Sequence, residues 1–192
     1  MESQFTNTQL IVAAVAVVLI LVIVVAVYLQ RRKTRTLAFK NRFGSEYDRA
    51  IVTHGSAKKA EAKLADRESR VEALKIRDLG AAERERFIVQ WQGVQARFVD
   101  HPKAAVTEAD DLVNALLLAR GYPQSTFEQR AADVSVTYPR VMDNYRVAHS
   151  IAVRNGRLDS TTEELRTAMI QYRAIFDELV QPQQPGAVVA AA

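Results

Sequence analysis

Hydrophobic residues follow two different patterns along this chain. Between Leu10 and Leu29 they form one unbroken run, LIVAAVAVVLILVIVVAVYL, without a charged or strongly polar side chain. At about 1.5 Å per helical residue, these ~20 residues span the ~30 Å hydrocarbon core of a bilayer. Because a helix satisfies its own backbone within a single segment, the run predicts one transmembrane helix. Beyond it, apolar residues recur at every third or fourth position, which is typical of amphipathic helices.

A buried core helix and a cleaved signal peptide are the two alternatives for the apolar run. Core helices rarely run this long without polar residues. A signal peptide has a basic region before a shorter apolar core, whereas here MESQFTNTQ contains no Lys or Arg and QRRKTR follows the run directly. Bases in that position act as a stop-transfer signal, so we expect a retained anchor.

The rest of the chain consists of amphipathic stretches separated by helix start and stop signals, without the period-two alternation of strands. Serine followed three residues later by an acid is the signature of a capping box, and it occurs at Ser45, Ser125 and Ser160. A helix from Ser56 to about Arg77 has a 3-4 spacing of small and apolar residues that only Arg67 interrupts. We expect this helix to pack on its own domain rather than to self-associate, because the repeat is too short for a coiled coil.

Each apolar stripe needs a partner, so the sequence predicts an all-α fold: a single N-terminal transmembrane helix followed by a helical bundle of about six amphipathic helices. The expected divisions are an extracytoplasmic segment (1–9), the transmembrane helix (10–29), a basic juxtamembrane neck (30–43), the helical domain (44–180) and a disordered tail (181–192). The expected core contains large apolar and aromatic residues: Trp91, Phe98, Leu112, Leu116, Tyr145, Met169 and Tyr172.

The stretch RGYPQSTFEQR, residues 120–130, has the highest density of chemically distinctive residues in the chain. We interpret it as the end of one helix and the start of the next. Gly121 in a left-handed conformation would allow a Schellman motif that places Tyr122 over Leu117. Pro123 prevents the helix from continuing, and Ser125 with Glu128 forms the predicted capping box of the next one.

Basic residues cluster directly after the apolar run. A Lys/Arg excess beside the first membrane helix places that side in the cytoplasm, so we expect a single-pass protein of the inner membrane with a cytoplasmic C-terminal domain. Anionic lipid headgroups attract such bases by ~1 kcal/mol each; the alternative is that they only stop transfer. The candidate headgroup contacts are Arg31, Arg32, Lys33, Arg35, Lys40 and Arg42.

The net charge of +4 is concentrated in this basic segment. Residues 30–43 contribute +6 and Glu2 contributes −1, so residues 44–192 carry only −1. A nucleic-acid-binding domain needs its bases on the folded part, and we therefore exclude nucleic acid as a partner. The absence of cysteine is compatible with a reducing compartment.

Several segments resemble a widespread group of uncharacterised bacterial single-pass membrane proteins with a helical C-terminal domain. The resemblance covers most of residues 42–180 and implies a bacterial origin and a helical domain, but no activity, cofactor or site. The segments that carry it are RFGSEYDRAI (42–51), VQARFVDHPKAAVTEADDLV (94–113), RGYPQSTFEQRAADVS (120–135), NYRVAHSIA (144–152) and STTEELRTAMIQYRAIFDELV (160–180).

Candidate catalytic or metal-binding residues are few. His54 and His101 fall at predicted helix ends, and only His149, on the stripe of Tyr145, is expected to be partly buried. The histidines do not form a metal-binding pair, and neither a nucleophile elbow nor a phosphate loop occurs. The acids at positions 108, 110 and 111 suit the first half of a helix through its dipole. We therefore expect no cofactor and no metal.

These observations favour a non-enzymatic, membrane-tethered domain that docks a protein partner at the inner face of the membrane. An enzyme with a site near His149 and a lipid-sensing surface on the basic segment are the alternatives. The terminal sequence Val-Val-Ala-Ala-Ala is similar to alanine-ended tags read by bacterial proteases, with an inert end as the alternative. If it is such a tag, changing Ala191 and Ala192 to Asp would lengthen the half-life of the protein.

Overall fold

The computed structural model describes residues 2–156 and 160–182, with side chains from Gln9 onward. Within those residues the protein is all-helical, with 84% helix and no strands, as predicted. Contacts divide the chain into two compact units, Met1–Asn41 and Arg42–Ala192. The predicted tail lies outside the described residues from position 183 onward, and so does the alanine-ended terminus.

The first unit is a single helix. Helix α1 runs without interruption from Glu2 to Phe43, so the predicted span and the predicted neck belong to one element. Its apolar part reaches a mean hydropathy of 3.7 over a window that is 0% buried, which makes α1 the one described helix long and apolar enough to cross a membrane. Successive helical residues lie about 100° apart, so the bases at 31, 32 and 33 point to different sides of α1 instead of forming one basic face.

The second unit contains the remaining described helices. These helices are α2 (Ser45–His54), α3 (Ala57–Glu72), α4 (Ala81–Phe98), α5 (Pro102–Ala119), α6 (Phe127–Thr137), α7 (Met142–Asn155) and α8 (Thr162–Val180). A short 3₁₀ turn, Pro139–Val141, joins α6 to α7.

The apolar core of this unit forms around α5, which packs against α4, α7 and α8. Trp91 of α4 stacks on Phe176 of α8 with ring centroids 4.8 Å apart, a favourable offset geometry for aromatic pairs. Six of the seven predicted core residues are buried, and Phe98 is half-buried against the same cluster. The helical periodicity therefore identified the inward faces correctly.

Helix α2 begins differently from the prediction. Because α1 continues to Phe43, Gly44 is the N-cap of α2 and adopts φ 52°. Ser45 is thereby the first helical residue and makes no side-chain cap hydrogen bond.

At the two later helix starts the N-cap is displaced by one residue from the predicted position. Thr126, not Ser125, caps α6 by accepting from the Gln129 N–H, and Glu128 is exposed. A complete box at α8 joins Thr161 to Glu164 instead of Ser160 to Glu163. Each start contains adjacent hydroxyl residues with similar capping ability, so the local sequence does not distinguish between them.

Helix α3 ends five residues earlier than predicted, at Glu72. The segment after it leaves the helix and binds the end of α5, where the Arg77 N–H donates to the Arg120 carbonyl at 2.9 Å. Leu79 then enters the core. Tertiary contacts thus replace the last predicted helical turn.

The packed pair of helices α2 and α3 is attached to α7 through a buried acid. Glu46 is 1% exposed and accepts two hydrogen bonds from Arg146 of α7, at 3.1 and 2.9 Å. Arg67 lies 3.8 Å from the same carboxylate; burial lowers the pKa of its guanidinium, although Glu46 opposes the shift. The arginine that interrupts the apolar seam of α3 is therefore a partner of a buried acid within the domain.

Candidate functional site

Four helices bring polar side chains together inside the second unit, beside the apolar core. We call these residues the polar cluster. They are Asp110 and Asn114 of α5, Arg130 of α6, Tyr145 and His149 of α7, and Tyr172 of α8.

The Asp110 carboxylate is the centre of the polar cluster. One oxygen accepts from the Tyr172 hydroxyl at 2.7 Å and lies 3.3 Å from Nδ1 of His149. The other oxygen lies 3.4 Å from the Asn114 amide nitrogen. Burial alone would raise the pKa of Asp110, but the hydrogen bonds from His149 and Tyr172 outweigh burial and hold that pKa below its ordinary value. Asp110 is therefore ionised at neutral pH.

Both tyrosines of the cluster remain protonated. Burial, followed by the charge of Asp110, raises the pKa of Tyr172 well above its ordinary value. Burial also raises the pKa of Tyr145 to about 12. The Tyr145 hydroxyl accepts from Nε of Arg130 at 2.9 Å and donates to the side-chain Oδ1 of Asn114 at 3.3 Å. The cluster is thus a continuous chain of hydrogen bonds from Arg130 to His149.

The His149 ring is held from two sides. It stacks on Phe127 with centroids 3.7 Å apart, and its Nδ1 faces Asp110. Since an ionised carboxylate only accepts hydrogen bonds, His149 carries a proton on Nδ1. Its side chain is 21% exposed, which agrees with the predicted partial burial. An aspartate–histidine pair resembles part of a catalytic triad, but in the described ranges no hydroxyl is hydrogen-bonded to this ring.

A cavity of about 260 Å³ adjoins the polar cluster and shares two residues with it, Asn114 and Arg130. Its other walls are Asp111, Leu117 and Leu118 of α5 and the segment Tyr122–Ser125. The hydroxyl of Ser125 is buried and has no hydrogen-bond partner among the described residues.

The conspicuous stretch 120–130 therefore has two roles. The predicted Schellman motif is present: Gly121 has φ 96°, the Tyr122 N–H donates to Leu117 O at 3.0 Å, and the Gly121 N–H donates to Leu118 O at 3.0 Å. The same segment also forms one wall of the cavity. The prediction of a helix stop was right, but it missed that the same segment lines a cavity.

Arg120 is the largest fully buried side chain among the residues that the structure describes, and its burial was not predicted. Its Nη1 donates to the carbonyls of Leu179 and Gln181, at 2.7 and 3.0 Å, and its Nη2 donates to Asp78 at 2.9 Å. These carbonyls are the unpaired acceptors at the end of α8. Arg120 thus holds the C-terminal end of α8 in place.

The predicted lipid contacts fall into two groups. Five of them, at positions 31, 32, 33, 35 and 40, are exposed on α1. Arg42, in contrast, forms an ion pair with Glu68 at 2.9 Å and belongs to the second unit. The five exposed bases therefore remain the candidate headgroup contacts, whereas Arg42 is engaged by its own domain.

The other sequence candidates also have defined positions. His54 is the last residue of α2, and His101 is the N-cap of α5. The acids at positions 108, 110 and 111 lie near the middle of α5, and the first turn of this helix contains no acid. The helix dipole acts mainly within the first turn, so it contributes little to their placement. Glu108 pairs with Arg97 on the surface, whereas Asp110 lies in the polar cluster. Among the residues that the structure describes, no group of three or more His, Cys, Asp or Glu is placed to hold a metal ion.

Comparisons with models of protein families, with curated proteins and with solved structures find no match for this chain. The resemblance to uncharacterised bacterial membrane proteins therefore stays a prediction. The geometry of the domain is what bears on function.

Proposed function

We propose that the protein is a membrane-tethered, non-enzymatic binding module whose helical domain docks a protein partner on the cytoplasmic side of the inner membrane. The observation that carries the tether is α1, an exposed apolar helix that continues directly into a basic segment. Tethering raises the effective concentration of a binding domain near the membrane surface. The basic residues then give the orientation through the positive-inside rule.

The state of the polar cluster supports binding over catalysis. Asp110 is stabilised in its ionised form by two donors, and the tyrosine hydroxyls are engaged with neighbouring side chains. A general base is expected to have a pKa raised toward neutrality, whereas the pKa of Asp110 is lowered. These groups are arranged to hold four helices together.

Substituted-cysteine labelling tests the tether and its orientation. The chain contains no cysteine, so a single introduced thiol is the only reactive one. We expect Ser3→Cys to react with an impermeant maleimide in cells whose outer membrane has been opened, and Thr53→Cys to react only after the inner membrane is disrupted. Release of the chain from the membrane fraction, or labelling of Thr53→Cys from outside, would refute this part of the proposal.

Site-specific photo-crosslinking tests the docking. Val52 and Val99 are 85% and 81% exposed, respectively, and a photoreactive side chain at either position leaves the core intact. We expect a discrete adduct with one protein, lost when α1 is replaced by a cleavable signal sequence. The matched control is the same two photoreactive proteins without irradiation, which should give no intermolecular adduct. Adducts only with lipid or with a second copy would contradict docking to a partner.

An enzyme built on Asp110 and His149 is the second candidate. The contact between these residues at 3.3 Å is the observation that favours it, because an acid beside a ring nitrogen orients the imidazole for proton transfer. Incubating cell metabolites with the wild-type protein and with Asp110→Asn would decide between the two. A compound consumed by the wild-type protein alone would replace the binding proposal with an enzymatic one.

A further inference from the structure

We propose that the cavity beside the polar cluster binds a small zwitterion with an apolar side chain, that is, a molecule of the amino-acid class. The cavity lies between α5, the turn Tyr122–Ser125 and Arg130 of α6. This site does not depend on the protein-docking proposal, since it concerns a small molecule in a different part of the domain.

Arg130 offers a fixed donor for a carboxylate. Its Nε donates to Tyr145 at 2.9 Å and its Nη1 donates to Ser125 O at 3.2 Å. The guanidinium also lies 5.9 Å from the centre of the Phe127 ring. In the described part of the chain, Nη2 of Arg130 has no acceptor. An arginine that is held in place and retains an unused donor is preorganised for an anionic group.

Ser125 adds a second donor to the same wall. Its hydroxyl is shielded from solvent and lacks a partner among the described residues, although it belongs to the lining of the cavity. Buried polar groups in native proteins are nearly always hydrogen-bonded. Rotation of the Ser125 side chain toward the cavity would let this hydroxyl donate to a ligand carboxylate that contacts Arg130.

Asp111 supplies the opposite charge. It lines the cavity and is exposed, and no ion pair of its carboxylate occurs in the described ranges. A purely anionic ligand would be repelled by Asp111, and a purely cationic one by Arg130. A zwitterion pairs with both charges. The cavity would therefore select a zwitterion over ligands of a single charge, because each single-charge ligand is repelled by one of the two side chains.

The remaining walls set the size and polarity of the ligand. Leu118 and Pro123 present exposed apolar surface, and the buried side chains of Leu117 and Tyr122 lie behind them. A volume of about 260 Å³ is just below the ~300–1,000 Å³ of pockets for drug-sized ligands. The space therefore suits a molecule with a few carbon atoms beyond its charged groups.

Calorimetry on the full-length protein in lipid nanodiscs tests this site with matched probes. Each amino acid is compared with two counterparts, an amine that lacks the carboxylate and a carboxylic acid that lacks the ammonium group. For L-leucine these are 3-methylbutylamine and 4-methylpentanoate. L-Alanine and L-phenylalanine are tested in the same way with their own amine and carboxylic acid. We expect at least one amino acid to bind at least tenfold more tightly than both of its counterparts. Absence of binding by all three amino acids, or equal affinity within every set, would overturn the proposal.

Two substitutions assign the charges. Asp111→Asn changes an exposed side chain, so the fold should be retained; it should remove the advantage of the amino acid over the carboxylic acid. Arg130→Lys should abolish binding of both the amino acid and the carboxylic acid, because lysine cannot reproduce the guanidinium geometry. Glu128→Gln, an exposed acid of α6 outside the cavity lining, is the control and should bind as the wild type does. Unchanged zwitterion preference in Asp111→Asn would overturn the assignment even if Arg130→Lys failed to fold.

A spectroscopic signal separates this site from nonspecific binding. Hydrogen bonds connect Arg130 through Tyr145, Asn114 and Asp110 to His149. Ligand binding at Arg130 should therefore shift the ring NMR resonances of His149 while those of His54 remain unchanged. Equal shifts at both rings, or a shift at neither, would contradict binding in this cavity.

Discussion

Arg120→Lys is the substitution that most directly tests the role of the buried guanidinium. The native side chain is 0% exposed and makes three hydrogen bonds, two to carbonyls at the end of α8 and one to Asp78. Lysine keeps the positive charge but has a single nitrogen in place of the planar fork. It cannot reach the carbonyls of Leu179 and Gln181 and the Asp78 carboxylate together.

The expected loss follows from the bonds that lysine cannot make. Hydrogen bonds involving a charged group contribute roughly 1.5–3 kcal/mol each. Asp78 is 46% exposed, so the ion pair counts toward the lower end of that range. The loss of two of the three bonds therefore lowers the free energy of unfolding by about 3–5 kcal/mol. For a domain of about 150 residues this corresponds to a fall in Tm of roughly 6–20 °C.

Thermal and urea unfolding in detergent, followed by circular dichroism, would measure this loss. Hydrogen exchange should show that amides in the last turn of α8 lose protection before the rest of the core. Arg84→Lys is the matched control, because Arg84 donates from Nε to the neighbouring Val180 carbonyl at 3.0 Å but is only half-buried. We expect Arg84→Lys to lower the free energy of unfolding by about 1 kcal/mol or less. Equal losses in the two variants would refute the idea that Arg120 fastens α8.

Three further substitutions test the fold. Gly121→Ala should destabilise the domain by at least about 2 kcal/mol, because φ is 96° and the added Cβ would lie 2.5 Å from Lys75 O. Gly93→Ala, in the middle of α4, should instead stabilise the domain by roughly 0.5–1 kcal/mol. If urea unfolding showed similar changes in the free energy of unfolding for Gly121→Ala and Gly93→Ala, both predictions would be contradicted. Glu46→Gln should lower the free energy of unfolding by about 3 kcal/mol, at the lower end of the range for a broken buried pair, because Arg67 and Arg146 are only partly buried. A loss below ~1 kcal/mol would show that the pair of helices α2 and α3 does not rely on this acid. The pKa of Asp110 is lower in the folded protein than its ordinary value of 3.8. The ionised Asp110 therefore stabilises the fold above pH 3.8, and this contribution is lost as the pH falls through the folded-state pKa. The difference in Tm between wild type and Asp110→Asn should therefore shrink from pH 6 to pH 3, and a constant difference would argue against an ionised Asp110.

Much of the fold was predictable because it depends on local chemistry. The apolar run of α1 and the inward stripes of α4, α5, α7 and α8 follow from composition and helical period alone. The stop at Gly121 was predictable too, since a Schellman motif requires only a glycine and an apolar residue at the right spacing. Where two equivalent caps were adjacent, as at Ser125 and Thr126, local chemistry could not choose.

Elements that depend on distant partners were predicted less well. The end of α3 is set by a hydrogen bond from the Arg77 N–H to the Arg120 carbonyl. These two residues are 43 positions apart in the chain. Arg67 looked like a defect in an apolar seam because its partner, Glu46, lies on a different helix. In both cases the missing information is a contact between separate segments, which single-sequence periodicity does not contain.

The polar cluster shows why the candidate site was only partly visible. Tyr145 and Tyr172 were predicted as core residues, and their rings are buried, but their hydroxyls carry the hydrogen-bond chain. A signal was present in the spacing: Asp110 and Asn114, like Tyr145 and His149, are separated by four residues and so share a helix face. Polar pairs at this spacing directly beside an apolar stripe cannot all face water when the stripe is buried. Such pairs on two helices predict a shared internal network, because each buried polar group needs a partner and the neighbouring helix is the nearest source.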